Sequence, residues 1–374
     1  MTTLIKTFSD NDNFSNAIVP LTIDISEVIF IYSHNIENKK LNACKEVIQR
    51  NKNIKITFLH VKENDVDNLI KDDCIIDVSA RQYLSLVLFE KALKKNNEII
   101  YFNGQDKKII SYKDHKVYNN TLFNLSITDL IKLGGGTITT NMHKPITNRK
   151  AIELIYRLVD ENSNKYSELV YYLGKVNSMI AAYHTGKLTY KLSDTVVDKI
   201  ENDYLYSKFQ KYNLFSIDRT TLSFPNEEIQ EIFNASGALL ENYIYNKLLD
   251  SNYFDEVMMS VSINFNSEQF KYPVVCELDG LVLEDNTLLL VSIKSSNVDT
   301  DALNEIKLHN LVFGNKYSKA VICLNDELNL KRPSIYAKAE ELDIKVIDET
   351  TFHNKNVAQE ILAIINNEYR YENI

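Results

Sequence analysis

The chain has 374 residues, of which 44% are hydrophobic and 25% are charged, and its formal net charge is −9. This length predicts two or three domains, and the composition is that of an ordinary water-soluble globular protein. The negative charge argues against a broad, nonspecific nucleic-acid-binding surface, although it allows a local basic groove.

No apolar run approaches the roughly 20 residues that span a bilayer, and the N-terminus lacks the apolar core of a signal peptide. We therefore expect a cytoplasmic protein without a membrane partner. The cysteines are widely spaced, lack the spacing of a zinc site, and are predicted to be reduced thiols, mostly buried. They are Cys44, Cys74, Cys276 and Cys323.

Short β-prone segments alternate with helical patterns in the first third of the chain. Strands are predicted at 27–33, 53–61, 73–78 and 98–103, with helices at 39–49, at 65–71 and after Ser79, which is read as an N-cap. This alternation predicts a Rossmann-like parallel sheet that binds ligands at the carboxyl ends of its strands. The domain is expected to continue through a hairpin at 108–121 and to cover residues 1–145.

Two loops at the carboxyl ends of the predicted strands are candidate ligand-binding segments. Neither contains the GxGxxG pattern, so a nicotinamide or flavin cofactor is not expected. The second loop offers backbone donors and a guanidinium to a phosphate, and its alternative reading is a helix N-cap with an exposed arginine. The candidate residues are Ser33, His34 and Asn35 in the first loop, and Ser79, Ala80, Arg81 and Gln82 in the second.

The middle of the chain, residues 146–225, is predicted to be a small helical or winged-helix-like module. Helical patterns cover 148–160, 163–173 and 176–187, and 214–224 is read as a connecting segment. The module is only weakly basic, which favours a packing and linker role over DNA binding. Before it, three glycines at 134–136 favour a turn or hinge over a phosphate cradle, because no GK[ST] follows them.

The last third, residues 226–374, is predicted to be a mixed α/β domain. A helix within 226–250 and a strand at 257–265 precede two strands within 272–297, which a polar turn at 284–286 joins. Three further elements, a helix at 301–313, a strand at 319–324 and a helix at 334–341, lead to a last strand at 344–347. The helix at 301–313 carries Glu305, Lys307 and His309, and Lys307 either positions nucleic acid or is simply solvated.

The two joined strands carry the residues of greatest chemical interest. Asp279 lies close to the turn, so it meets Lys294 only if the strands are twisted or splayed. An aspartate that holds a divalent cation beside a lysine that stabilises charge on a phosphate is the core of a metal-dependent phosphodiesterase. The alternative is an ordinary salt bridge.

This pattern resembles the PD-(D/E)xK, or restriction-endonuclease-like, nucleases. The resemblance implies catalysis with Mg²⁺ or Mn²⁺, with Asp279 and Lys294 at the matching positions. Family members usually carry an acid two residues before the lysine, where this chain has Ser292, a poorer ligand for a hard cation. Glu241, in Gly-x-x-x-Glu-x-Tyr-Ile, resembles the glutamate that related nucleases place on the preceding helix, and Glu277 is a plausible second ligand. Either glutamate is alternatively a solvated surface residue.

The order of the predicted domains resembles the CRISPR-associated Rossmann-fold (CARF) effectors. The resemblance implies a homodimer that binds a cyclic oligoadenylate activator and cleaves DNA and/or RNA in CRISPR-linked antiviral defence. Two alternatives are a non-catalytic nucleotide-sensing or nucleic-acid-binding regulator with a degenerate nuclease domain, and a first domain that degrades its own nucleotide ligand.

Overall fold

The structure is a computed structural model, and the predicted helices at 163–173 and 176–187, like Arg81, lie outside its described residues. It describes residues 2–80, 82–119, 121–141, 149–160, 188–233, 237–265, 274–294, 298–313, 317–324, 332–348, 351 and 355–368. The strands in these ranges form sheets of seven, three and six strands. No helix in the described part of the chain is long and apolar enough to cross a membrane.

The seven-stranded sheet, called the first sheet, has the order β3-β2-β1-β4-β5-β6-β7. The strands β1 to β5 are parallel, and β6 and β7 continue the sheet antiparallel, as the predicted hairpin requires. This order confirms the Rossmann-like first domain. The strands are β1 (Thr3–Thr7), β2 (Glu27–Tyr32), β3 (Lys55–His60), β4 (Cys74–Asp77), β5 (Glu98–Asn103), β6 (Lys108–Ser111) and β7 (Val117–Asn119).

Helices cover both faces of the first sheet. Leu4 and Phe30 pack with the helices α1 and α2 on one face, whereas Ile5 and Ile76 pack with α4 on the other. The helices are α1 (Asn13–Thr22), α2 (Asn38–Asn51), α3 (Val66–Leu69), which follows a 3₁₀ turn at Glu63–Asp65, and α4 (Tyr83–Lys94).

The central strand β1 and the helix α1 are absent from the sequence prediction. Lys6 interrupts the apolar pattern of β1, yet it is fully buried and forms an ion pair with Asp77 on the neighbouring strand. Pro20 lies inside α1 and argues locally against a helix, because it cannot donate the i→i−4 hydrogen bond, but residues Phe14–Leu21 of this helix are all buried. Tertiary contacts therefore override the local pattern at both elements.

The middle region contains short helices and a small antiparallel sheet of order β10-β11-β9. The predicted connecting segment at 214–224 is wrong, because it forms the hairpin of β10 and β11, which buries Phe215, Leu222 and Phe224. The elements are α5 (Ile127–Leu133), α6 (Arg149–Asp160), β9 (Thr189–Lys191), α7 (Asp194–Glu201), α8 (Tyr204–Lys211), β10 (Ser216–Asp218) and β11 (Thr221–Ser223).

The six-stranded sheet, called the second sheet, has the order β16-β15-β14-β13-β12-β8. It is mixed, because β14, β15 and β16 are parallel and the other pairs are antiparallel. The strand of this sheet that comes first in the chain, β8, lies within the predicted first domain (residues 1–145) but pairs with β12. The strands are β8 (Thr137–Asn141), β12 (Glu256–Phe265), β13 (Val274–Glu284), β14 (Thr287–Lys294), β15 (Lys319–Leu324) and β16 (Ile344–Ile347).

Helices also cover both faces of the second sheet. The side chains of α10 and α13 pack with Val291 and Ile293 on one face, and those of α11 and α12 pack with Leu288 and Leu290 on the other. The helices are α9 (Glu227–Ile232), α10 (Ala238–Ser251), α11 (Thr300–Phe313), α12 (Pro333–Glu341) and α13 (Val357–Ile365). The predicted fold, an α/β protein with a second mixed α/β domain, is confirmed.

Candidate functional site

The strands β13 and β14 separate at Asp279. Their pairing runs from Glu284 opposite Thr287 to Gly280 opposite Val291. Beyond that pair, the carboxylate of Asp279 replaces the backbone ladder. Its Oδ2 accepts hydrogen bonds from the Ile293 amide at 2.7 Å, the Ser292 hydroxyl at 3.2 Å and the Lys294 ammonium at 3.3 Å.

An irregularity in β12 accompanies this separation. Ser260 has a φ of 50°, and it lies between the pairs Met259–Gly280 and Val261–Leu278. Met259 packs on one face of the sheet and Val261 on the other, so the strand changes face at Ser260. The strands pack tightly beside it, because a Cβ on Gly280 would lie 3.0 Å from the Met259 sulfur. The chain thus bends where Asp279 needs room between the strands.

The helix α11 closes a cleft over this point. On the strand side the cleft is lined by Glu277, Asp279, Ser292 and Lys294, and on the helix side by Glu305 and His309 with their apolar neighbours. Its volume is about 40 Å³. We call it the acidic cleft. The volume is that of one or two water molecules, so the acidic cleft accommodates a small ion and not an organic cofactor.

The acidic cleft carries excess negative charge. Its lining contains three carboxylates against one lysine. Burial, together with the smaller effect of the charges of Glu305, Glu277 and Asp279, raises the pKa of the Cys276 thiol to about 12. A thiol with that pKa is protonated at neutral pH and is a poor metal ligand or nucleophile.

His309 lies at the inner end of the cleft. Its Nε2 is 3.1 Å from the Cys276 sulfur. Burial lowers the pKa of His309 below its ordinary value of 6.5, although the charges of Glu305 and Asp279 act in the opposite direction. The imidazole is therefore mainly neutral at pH 7, and Lys294 remains the cation of the cleft lining.

A divalent cation of the Mg²⁺ type is compatible with this donor set. Within the described ranges, no group of three or more His, Cys, Asp and Glu side chains is arranged to hold a metal by itself. Mg²⁺, however, is commonly bound by one or two carboxylates together with water and substrate phosphates. Oδ1 of Asp279 accepts no hydrogen bond from any described residue, and Glu277 lines the same cleft.

Glu241 is not among the residues that line the acidic cleft. It lies on α10, whose neighbours Leu240 and Ile244 pack against Val291 and Ile293. Ser292 and Lys294 alternate with those two strand residues and therefore face α11 instead. The role of Glu241 as a metal ligand stays a prediction.

The polar residues of α11 that line the cleft are Glu305 and His309. The sequence predicted no functional role for either of them. The pattern that reveals them is their i, i+4 spacing beside the buried positions Leu303 and Ile306. That spacing directs both polar side chains along one edge of the helix face that packs on β14. Lys307 does not line the cleft.

The second region of interest is the carboxyl edge of the first sheet, defined by the loops that follow β1, β2 and β4. Because β1 lies between β2 and β4, the order of connections reverses between β1 and β4. Ligands bind at such switch points. The loop after β1, which contains Ser9, Asp10 and Asn11, is therefore part of this edge, and the sequence missed it because it missed β1.

The first predicted ligand loop joins the loop after β1. His34 Nε2 lies 3.6 Å from Asp10 Oδ2, and the backbone oxygen of Asp10 accepts a hydrogen bond from Lys40. Ser33 and Asn35 are exposed. This loop follows β2, one strand away from the switch point.

The second predicted ligand loop borders the switch point directly. Its prediction as a helix cap is wrong at Ser79, since Gln82 is the N-cap of α4 and makes no side-chain capping bond. The Ser79 hydroxyl instead donates to Asp77 and accepts from the Phe102 amide. Ala80 is buried. The predicted binding role of Arg81 lies outside the described residues.

Two buried hydroxyls on the α4 side of the first sheet have no partner. Thr7 Oγ1 ends β1, and Ser85 Oγ lies in the first turn of α4. Neither forms a hydrogen bond with a described residue. Buried polar groups are usually satisfied, so an ordered water is the expected partner of each hydroxyl.

Solved structures similar to this chain share its fold over nearly the whole length. The protein VC1899 from Vibrio cholerae has a TM-score of 0.76 and 16% identity, with 98% of this chain and 99% of that chain covered. Can2 from Sulfobacillus thermosulfidooxidans, in complex with cyclic tetra-adenylate, has a TM-score of 0.69 and 17% identity, with 97% of each chain covered. At these identities the likeness establishes the fold. No protein-family model and no curated protein sequence matches the chain.

Proposed function

We propose that the chain is a cyclic-oligoadenylate-activated, metal-dependent nuclease of the cytoplasm that acts on DNA and/or RNA in CRISPR-linked antiviral defence. In this proposal residues 1–145 sense the activator, 146–225 link the domains and 226–374 form a PD-(D/E)xK nuclease domain. The observation that carries it is the meeting of Asp279, Ser292 and Lys294 where β13 and β14 separate, beneath the acidic cleft.

The carboxyl edge of the first sheet supports a nucleotide activator. The shared fold with a protein solved in complex with cyclic tetra-adenylate extends over both domains. The switch point between β1 and β4 is bordered by backbone and polar groups, and the unpaired hydroxyls of Thr7 and Ser85 lie nearby in chain and sheet order. We assign this edge, including the loops at 33–35 and 79–82, to the activator.

An apolar stripe on α4 supports a homodimer. Tyr83, Leu86 and Leu93 are spaced along one side of the helix and are 67%, 66% and 49% exposed. Glu90 lies between Leu86 and Leu93 on this side, so the apolar surface consists of Tyr83 and Leu86 with Leu93 one turn beyond the glutamate. Exposed apolar side chains grouped on one side of a helix are typical of an interaction surface. The helix starts directly after the loop at 79–82, so a two-fold contact through α4 would bring two copies of that loop together.

The acidic cleft supports phosphodiester hydrolysis. Asp279, with a second carboxylate of the same cleft, would hold Mg²⁺ or Mn²⁺, which would polarise a phosphodiester and neutralise its developing charge. Lys294 places a positive charge beside Asp279, suited to a non-bridging phosphate oxygen. The Ser292 hydroxyl and the Ile293 amide fix the Asp279 carboxylate in position.

A non-catalytic regulator is the second candidate. The observation in its favour is Ser292, together with the absence of a three-ligand group in the described part of the chain. In that case the cleft would bind a phosphate backbone without cleaving it. A carboxylate restored by Ser292→Glu would then produce a large gain of activity.

The test is a cleavage assay on the purified protein. Labelled single- and double-stranded DNA and RNA are incubated with Mg²⁺ or Mn²⁺ and a panel of cyclic oligoadenylates, beside Asp279→Ala and Lys294→Ala. We expect activator-dependent cleavage that each substitution lowers by about 10²–10³-fold.

Two outcomes of the assay would contradict the proposal. No cleavage with any activator, ion or substrate would leave the regulator as the account of the chain. Cleavage that survives both substitutions would place the chemistry outside the acidic cleft.

A further inference from the structure

We propose that Glu305, on α11, supplies the second carboxylate of the nuclease site in place of an acid at position 292. This inference rests on the proposed function and specifies its metal site. It explains why β14 carries a serine at position 292: the second acid comes from α11, the helix that covers this strand.

The Ser292 side chain already orients Asp279. Its hydroxyl donates to Oδ2 of Asp279, the same oxygen that receives the Ile293 amide. A carboxylate at 292 would remove this donor and place a like charge against Asp279. The strand therefore orients Asp279 and leaves the second ligand to a neighbouring element.

Glu305 lies on the side of the strand that Ser292 faces. Leu290 and Ile306 pack together in the core on this side, and α11 is anchored there by Leu303, which is fully buried. Glu305 lines the acidic cleft with Ser292 and Asp279. A glutamate is long enough to reach across a cleft of this size from the helix.

Glu277 is less well placed for this role. Its neighbours Cys276 and Leu278 pack on the α11 side, and Cys276 contacts His309 on that helix. Side chains alternate along a regular strand, so Glu277 is directed away from α11, whereas Asp279 lies opposite Ser260, where the strands change face, and turns toward Ser292. Both Glu277 and Glu305 line the cleft and are exposed, so the direction of the side chain is what separates them.

Glu305 is also free to take a ligand. It forms no ion pair or side-chain hydrogen bond with a described residue, and its charge acts on both Cys276 and His309 within the cleft. Two carboxylates suffice for a cation that keeps several waters and binds substrate phosphate. This pair is consistent with the lack of a three-ligand group among the residues that the structure describes.

The test measures Mn²⁺ binding by calorimetry and by the loss of the free-ion electron paramagnetic resonance signal, without substrate. We expect Glu305→Gln to weaken Mn²⁺ binding at least about tenfold. Asp301→Asn is the matched control, because it removes an exposed acid from the same helix outside the cleft and is expected to leave binding unchanged. Thermal unfolding of each variant checks that the fold is retained.

A double variant that moves the acid from α11 to β14 completes the test. Ser292→Glu in the Glu305→Gln background is expected to recover Mn²⁺ binding and cleavage in part, because it returns an acid to the strand. Unchanged binding in Glu305→Gln, with loss in Glu277→Gln, would overturn this inference and leave the proposed nuclease intact. A wild-type protein that neither binds Mn²⁺ nor cleaves any substrate would overturn both.

Discussion

Three donors converge on one oxygen of Asp279, and they come from consecutive residues of β14: Ser292, Ile293 and Lys294. The Ile293 donor is a backbone amide, which a change of side chain leaves in place. Mutation can therefore test only the donors of Ser292 and Lys294. Sequence spacing predicted the pair Asp279 and Lys294. It did not predict the hydrogen bond from Ser292, because that bond depends on the separation of the strands.

The Ser292 hydroxyl has a measurable effect if it orients Asp279. We expect Ser292→Ala to weaken Mn²⁺ binding and cleavage by about 10–100-fold, the usual cost of losing an outer-shell partner of a metal ligand. Ser292→Thr keeps the hydroxyl and is expected to retain most of the binding. Equal behaviour of the alanine and threonine variants would contradict the orienting role.

His309 provides a pH-dependent measurement at the same site. Burial lowers its pKa, so the folded protein binds this proton less readily than the unfolded chain does. Its contribution to stability is complete above the unfolded value of 6.5 and is lost as the pH falls from there through the folded pKa. Glu305 opposes the shift, so Glu305→Gln is expected to lower the pKa of His309 further.

Nuclear magnetic resonance titration of the imidazole checks this expectation. The His309 resonance is assigned by its absence in His309→Asn. A pKa of His309 that is unchanged or raised in Glu305→Gln would show that the two side chains are not electrostatically coupled.

At the scale of single elements, the turn between β13 and β14 illustrates what local sequence determines. Asp285 and Asn286 have φ values of 46° and 58°, which aspartate and asparagine tolerate better than most residues do, and the predicted turn lies at these positions. The strand β1 is the opposite case. Its lysine is buried only because Asp77 lies on the adjacent strand, and no local pattern contains that information.

The exposed apolar side of the helix α4 leads to a prediction about dimerisation. Leu86→Glu places a charge in the centre of its exposed apolar stripe, and we expect it to convert a dimer into a monomer in sedimentation velocity. Leu308→Glu is the control, because that leucine is similarly exposed, at 58% against 66%, on α11. A wild-type monomer, or a dimer that survives Leu86→Glu, would remove α4 from the interface.

At the scale of the whole molecule, the two sheets share a hydrophobic core that contains Leu4 of the first and Leu290 of the second. The hairpin turn between β13 and β14 also contacts the first half of the chain. Asn286 is 2% exposed, accepts from the Leu125 amide at 2.8 Å and donates to the Phe123 carbonyl at 3.0 Å. The turn between β13 and β14 is thus attached to the segment that leaves the first sheet.

The end of α11 forms a second connection. Phe313 and Val312 line a cavity of about 280 Å³ with Asp10 and Asn11, from the loop after β1. Gly134 packs so closely that a Cβ would lie 2.9 Å from the Val312 oxygen. One helix therefore contacts both the carboxyl edge of the first sheet and, through Glu305, the acidic cleft.

The buried turn yields a prediction about coupling. Asn286→Ala leaves a buried amide and a buried carbonyl without partners, which costs about 1–3 kcal/mol of unfolding free energy for each unsatisfied group. We expect the variant to bind activator but to lose much of its stimulation. Lys107→Ala is the control, because it removes a solvent-accessible ion pair with Asp285 in the same turn and costs only about 0–1 kcal/mol.

Denaturant unfolding and the ratio of cleavage rates with and without activator measure the two effects. Full stimulation in Asn286→Ala would exclude this turn from the coupling between the domains.

The central claim is that one chain senses a cyclic oligoadenylate and cleaves nucleic acid in response. Its most direct test records, on the same sample, the binding curve for cyclic tetra-adenylate and the cleavage rate as a function of its concentration. The account predicts that the two curves share a midpoint and that Asp279→Ala lowers cleavage by about 10²–10³-fold without moving the binding curve. Binding without any change in cleavage rate, or cleavage that is independent of every cyclic oligoadenylate, would contradict it.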